Sequence, residues 1–307
     1  MRKYLVFISL ITLCTASQAS SKEAYLWLKK MAMVIKSTNY IGTFVYIHND
    51  HIEAMRIIHR ADQNGETERL LSLNGAPREI IRNKNSLTCI LPDNKTVVVE
   101  KSRPHKYFPG ALLKLDAMIL KNYTLNVLGD DRVADRPTKV IAIIPRDQYR
   151  YGYRLWLDKA NAILLKSDVI NEKGVAVEQF MFTQLEFKDQ IDDEQLKPSI
   201  SGTGYKWYGK KKKPESAVQT KKQVWRVTKL PKGFKESMYM EHGMPTSRMP
   251  VEHMVFTDGL SSVSVYIEKP QKNQMPLKGT SNMGAVNVYG RIIALFIDYN
   301  YIYWSLT

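Results

Sequence analysis

The side chains best suited to chemistry are few and widely spaced. His48-Asn49-Asp50-His51 brings two imidazoles and a carboxylate together, donor types that a zinc ion accepts. The stretch falls at the end of a strand pattern, where a turn is expected to splay the two rings, and no Cys or His cluster completes the set. His59 and His253 lie within strand patterns, the usual setting of a hydrogen-bonded structural histidine. Glu68, Glu79 and Asp158 offer carboxylates for acid–base work, but such groups on separate strands are expected to be solvated strand edges. Arg146, Asp147, Arg150 and Arg154 alternate with Tyr149, Tyr151 and Tyr153, which suits the stacking of nucleic-acid bases. The same alternation describes a half-buried strand at a sheet margin, and that reading is preferred. No nucleophile elbow, phosphate-binding loop or dinucleotide glycine fingerprint occurs. These residues point to binding rather than catalysis, with no metal, no cofactor and no nucleic-acid partner.

The elements that position these groups are mostly strands. Val140 to Ile144 is a β-branched run ended by Pro145, Tyr153 to Leu157 alternates apolar with polar residues, and Ile163 to Val169 follows an Asp-Lys-Ala-Asn turn. Upstream, Tyr40 to His48, Ala54 to Arg60, Glu68 to Leu73, Arg78 to Asn83, Leu87 to Leu91 and Thr96 to Glu100 predict an antiparallel meander. Ser20 and Glu23 fit a capping box, and Ala24, Leu28, Met31 and Ile35 recur at helical spacing, so an amphipathic helix is expected to pack on the sheet. A further helix is expected from Ala111 to Lys121, and Tyr123 to Leu128 resumes the strands. Val175 to Phe187 is apolar on both faces, which requires cover on both sides, one of them by a further protein layer or a ligand.

Residues 1–19 read as an export signal: Arg2 and Lys3, an apolar run from Leu5 to Leu13, then Ser17-Gln18-Ala19. Lipid attachment at Cys14 is the competing reading, and bulky Leu13 argues against it. Loss of the signal leaves Cys89 alone, so no intrachain disulfide is expected and the fold must rest on its core. Two domains are expected: a large one over 20–197, a Gly-, Ser- and Lys-rich linker over 198–222, and a small one over 223–307. The small domain's predicted strands are Gln223 to Thr228, Met238 to Glu241, Glu252 to Thr257 and Ser262 to Glu268. Positive charge gathers late, with 16 Lys and Arg against 7 Asp and Glu over residues 206–307. Outside the cytoplasm, that excess suits anionic headgroups or an acidic polypeptide, with plain solubility as the alternative.

Five segments carry a resemblance to a known family: 40–46 (YIGTFVY), 68–82 (ERLLSLNGAPREIIR), 150–158 (RYGYRLWLD), 230–234 (LPKGF) and 257–265 (TDGLSSVSV). In order and over both domains they resemble the RseB/MucB family, periplasmic negative regulators of the sigma-E envelope stress response. The resemblance implies an α+β, mainly antiparallel fold: a LolA/LolB-like unclosed β-barrel with helices, joined to a smaller α+β domain. It also implies binding to the periplasmic domain of a transmembrane anti-sigma factor, protection of that factor from site-1 proteolysis, and release by lipopolysaccharide or another acyl-chain ligand. Phe44, Tyr46, Met55, Phe180 and Phe182 are the candidate lipid-groove residues, because they lie on apolar strand faces. Trp225, Phe234, Met254 and Phe256 are the candidates for partner contact, although core packing is the commoner fate of each such residue taken singly. A lipid or lipoprotein carrier is the alternative function, and a scaffold without a ligand is a third. After Arg291 the sequence departs from the family pattern, and Ile292 to Thr307 carries a single charge, Asp298. The small domain is expected to be atypical or truncated there, and the sticky tail to favour homo-oligomers.

Overall fold

The structure, a computed structural model, describes residues 20–48, 51–101, 117–209, 225–243, 250–267, 278–283, 286–291 and 305–306. The export segment, most of the predicted Ala111 to Lys121 helix, the lysine run and nearly all of the tail lie outside the described residues.

Helix α1 spans residues 20–34. Its stripe behaves as the spacing predicts: Ala24, Leu28 and Met31 are fully buried, whereas Leu26 and Met33 are more than half exposed. Ile35 packs against the same core. The Ser20 hydroxyl accepts the Val127 N–H at 3.1 Å, so it fastens the helix to the sheet. No helix among the described residues is long and apolar enough to cross a membrane.

The chain then runs through β1 (Tyr40–His48), β2 (His51–Asp62), β3 (Gly65–Ser72), β4 (Glu79–Arg82), β5 (Ser86–Leu91) and β6 (Thr96–Lys101). After α2 (Ala117–Asn122) come β7 (Tyr123–Val133), β8 (Arg136–Pro145), β9 (Gly152–Asp158), β10 (Leu164–Ile170) and β11 (Ala176–Phe187). These strands and β12 (Lys206–Tyr208), which follows the short α3 (Asp193–Leu196), form one sheet in the order β12-β6-β5-β4-β3-β2-β1-β11-β10-β9-β8-β7. Two meanders are thus joined where β1 pairs with β11, and the sheet stays open because β12 and β7 end it without pairing. All pairings in it are antiparallel except β12 with β6. Register shifts at Thr43/Phe44, Val127/Gly129, Leu164/Lys166 and Val169/Ile170 add the local bends an open, curved sheet needs. The α1 stripe packs on Tyr123, Leu125, Ile141, Ile143, Tyr153, Leu155 and Leu157.

β12 forms inside the stretch expected to be a linker. Ser199, earlier in that stretch, donates its N–H and hydroxyl to Glu79, and Lys206 to Tyr208 align with Thr96 to Val98. Residues 199–208 are therefore laid along the large sheet.

The second unit holds β13 (Lys235–Gly243), β14 (Pro250–Thr257), β15 (Ser262–Ile267), the hairpin β16 (Lys278–Met283) and β17 (Val286–Arg291), and β18 (Ser305–Leu306). The order β13-β14-β15-β18 makes a four-stranded sheet, and β16-β17 is separate. Its described residues are strand and turn, so the helix implied for an α+β unit is not among them. The strand expected from Gln223 to Thr228 does not form over residues 225–228, which have no regular structure. Val227 and Leu230 nevertheless pack against the small core, so apolar residues read as a strand serve the core from an irregular segment ahead of Pro231.

Candidate ligand-binding site

The five residues expected to line a lipid groove come together. In register, Phe44 faces Met55 on β2 and Phe182 on β11, and Tyr46 faces Phe180, which puts all five on one face. The three phenylalanine rings touch, with centroids 4.9 Å (Phe44–Phe180), 5.9 Å (Phe44–Phe182) and 5.1 Å (Phe180–Phe182) apart. Phe44, Met55 and Phe182 are buried, while Tyr46 and Phe180 are half-buried against them. Gly42 makes this packing possible, since a Cβ there would stand 2.6 Å from Phe182 Cε1. Burial, with Glu178 next to it, pushes the Tyr46 phenol above its usual range. Beside this patch is a recess of about 510 Å³ lined in part by His48, His51, Glu53, Asn74 and Arg78. Arg78 pairs with Glu53 at 2.8 Å and reaches Met55 Sδ at 3.9 Å, so the recess adjoins the apolar face. This arrangement offers hydrocarbon contact with a polar border, in which the Ser72 hydroxyl donates to the Ala76 carbonyl at 3.2 Å.

The suspected catalytic groups prove structural. Glu79, expected on a solvated edge, is buried, pairs with Arg69 at 2.5 Å and accepts the Ser199 hydroxyl at 2.9 Å. Asp158 is buried, accepts the Ala160 N–H at 2.7 Å and pairs with Arg136. Glu68 pairs with Arg82 at 2.5 Å. Each of these carboxylates is engaged by an arginine on a neighbouring strand. His48 and His51 are not splayed: they face each other across β1 and β2 with ring centroids 5.4 Å apart. The antiparallel pairing of β1 with β2 sets the two residues directly opposite each other.

The Arg–Tyr alternation belongs to a joint between the two units. Arg150 and Asp258 both have fully buried side chains, and Arg150 Nε donates to Asp258 Oδ2 at 2.6 Å. Nη1 donates to Asp147 and Nη2 to the Lys232 carbonyl. The Tyr123 hydroxyl donates to Asp258 Oδ2 at 3.0 Å and stands 2.9 Å from Ser261 Oγ, while Asp258 Oδ1 accepts the Leu260 and Ser261 N–H groups at 2.9 and 2.8 Å. Leu260 enters the core under α1, and the Arg150 guanidinium lies 4.8 Å from the Phe234 ring centroid. Gly233, at φ +90°, lets the loop press on Asn122 where a Cβ has no room. Burial acts to lower the Arg150 guanidinium, but Asp258 and Asp147 outweigh it and hold it above the ordinary value. An Asp before a Gly ordinarily marks only a turn, so nothing local in the sequence signals this role of Asp258.

Of the four candidates for partner contact, Phe234, Met254 and Phe256 form the core of the small sheet with Val263 and Val265. Trp225 is 38% exposed and alone among the four offers substantial surface.

An open sheet with an apolar face, locked to a second, smaller sheet, defines a two-part fold. Models of the MucB/RseB N-terminal and C-terminal domains match residues 23–200 and 219–298, and the chain belongs to the MucB/RseB family. It is 32% identical over 299 residues to the sigma factor AlgU regulatory protein MucB of Pseudomonas aeruginosa, covering 95% of this chain and 88% of that protein. Against the sigma-E factor regulatory protein RseB of Escherichia coli K12 it is 25% identical over 280 residues, covering 88% and 84%. The fold aligns with MucB in the Pseudomonas aeruginosa MucA/MucB complex at a TM-score of 0.69 and 30% identity, covering 92% of each chain. With the crystal structure of MucB the TM-score is 0.60, covering 93% of this chain and 91% of that one.

Proposed function

We propose that this protein is a periplasmic regulator that binds the periplasmic domain of a transmembrane anti-sigma factor and so restrains a sigma-E-type envelope stress response. The observation that carries this reading is the likeness over both units to MucB solved in complex with MucA. Bound to the anti-sigma factor, the protein shields it from the site-1 protease. Lipopolysaccharide or a similar acyl-chain ligand, held on the face built by Phe44, Tyr46, Met55, Phe180 and Phe182, releases it. On the small unit, Trp225 contacts the partner, while Phe234, Met254 and Phe256 form the core of the sheet.

The test is calorimetric titration of the full chain with the anti-sigma periplasmic domain, alone and with lipopolysaccharide, followed by a site-1 protease assay on the complex. Saturable binding, slower cleavage and loss of both on adding lipopolysaccharide are expected. Absence of binding sinks the regulator reading. Transfer of lipid between vesicles without any anti-sigma binding establishes the carrier instead.

A further inference from the structure

We propose that His59, Glu66 and Glu68 form a site for a divalent transition-metal ion, zinc by preference, at the β2–β3 hairpin. The register sets His59 opposite Glu68, and Glu66 lies two residues before Glu68 on the same face of β3. One ligand atom from each of the three lies within 4.8 Å of the others. His59 is 1% exposed, and its ring stacks on Tyr40 with centroids 4.8 Å apart and planes 14° from parallel. Nδ1 lies 2.9 Å from the Thr38 carbonyl oxygen, which only accepts, so Nδ1 carries the proton and Nε2 the lone pair. An imidazole whose other nitrogen donates to a backbone carbonyl is in the tautomer and orientation of a metal ligand.

Nε2 has no hydrogen-bond partner although it is buried, and it points at Glu68 Oε1 from 3.8 Å. That separation is too long for a hydrogen bond, which takes about 2.7–3.2 Å. Two ligands each about 2.1 Å from one tetrahedral ion stand about 3.4 Å apart, within a small side-chain movement of the observed geometry. Arg82 occupies the other oxygen of Glu68 at 2.5 Å and orients the carboxylate. A single imidazole with two carboxylates is a donor set that zinc accepts, and half-buried Glu66 gives the ion a way in. The bound ion ties β2 to β3, and through Thr38 to the segment leaving α1. The site is independent of the proposed function.

The test is cobalt and zinc titration of the untagged full chain, read by the visible absorption of cobalt and by calorimetry. One ion per chain is expected, with zinc displacing cobalt and raising the melting midpoint. Glu66→Gln, at a half-buried position, and His59→Gln each weaken binding about 10-fold or more, while a His48→Gln/His51→Gln variant binds as wild type. Should His59→Gln not fold, nitrogen-15 spectra of the wild-type histidines decide: zinc moves the His59 Nε2 signal and leaves Nδ1 protonated. No one-to-one binding, binding unaffected by Glu66→Gln, or an unmoved His59 signal overturns the site.

Discussion

Asp258→Ala removes the centre of the joint between the two units. The carboxylate holds the Arg150 guanidinium at 2.6 Å, the Tyr123 hydroxyl at 3.0 Å and the Leu260 and Ser261 N–H groups at 2.9 and 2.8 Å. Alanine leaves Arg150 buried with Asp147 and one carbonyl for company, and leaves two backbone donors without their acceptor. Breaking a buried ion pair from one side costs about 3–5 kcal/mol, a large share of the roughly 5–15 kcal/mol that holds a domain folded. Equilibrium urea unfolding followed by circular dichroism should show the midpoint falling accordingly. Hydrogen exchange should show β14 and β15 opening ahead of the large sheet. The pair Arg150→Met with Asp258→Leu, which removes both charges, should recover most of the loss. An Asp258→Ala protein within about 1 kcal/mol of wild type, or a double variant worse than the two single changes combined, refutes the account of the joint.

Three further outcomes follow from the packing and the buried phenols. Leu28→Ala, at a fully buried position under the sheet, should cost about 2–5 kcal/mol, whereas Leu26→Ala on the exposed side should stay within about 0.5 kcal/mol; urea midpoints decide it. Gly42→Val should cost about 1–3 kcal/mol and alter the near-ultraviolet dichroism, because its Cβ meets Phe182 Cε1 at 2.6 Å and the Gln184 carbonyl oxygen at 2.9 Å, and the latter cannot swing away. Burial raises the phenols of Tyr40, Tyr123 and Tyr153 above their unfolded values. The folded state then holds protons the unfolded state has lost, so this contribution is complete below about pH 10 and disappears as pH climbs through the folded values. Tyrosinate absorbance for these three should appear together with unfolding, and their full ionisation near pH 10 in a folded chain would contradict it.

Periodicity was a sound guide wherever an element is long and covered on one side. The α1 stripe and the bounds of β1 follow from 3.6- and two-residue repeats that burial of Leu28, Met31, Tyr40 and Phe44 enforces. On the same basis the apolar face was legible, since alternation along β1 and β11 leaves Phe44, Phe180 and Phe182 no choice of side. β12 was not, being three exposed residues in a Gly- and Ser-rich stretch. Nor were the roles of Glu79 and Asp158, whose partners Arg69 and Arg136 sit on neighbouring strands. In β14, Met254 and Phe256 alternate with His253 and Val255, and both lie in the core of the small sheet, the commoner fate of such residues.

Arg150 and Asp258 are 108 positions apart, and no local pattern joins them. An Arg among tyrosines and an Asp before a Gly each have a common local meaning, a strand margin and a turn, and each meaning is true as far as it goes. What the contacts add is direction. Taking two charges out of water costs more than their attraction returns unless the other polar atoms are also satisfied. Here they are: the three guanidinium nitrogens reach Asp258, Asp147 and the Lys232 carbonyl, and both Asp258 oxygens are engaged. Leu260 and Phe234 already supply apolar contact at the joint, and hydrophobic contact alone is non-directional. A guanidinium with donors fixed in one plane is not. Its three partners come from the loop before β9, the Leu230–Phe234 loop and the β14–β15 turn, so any rotation of one unit on the other breaks charge-assisted hydrogen bonds before it loses much apolar area. The knot therefore sets the orientation of the small sheet on the open one, while the apolar residues around it supply the adhesion.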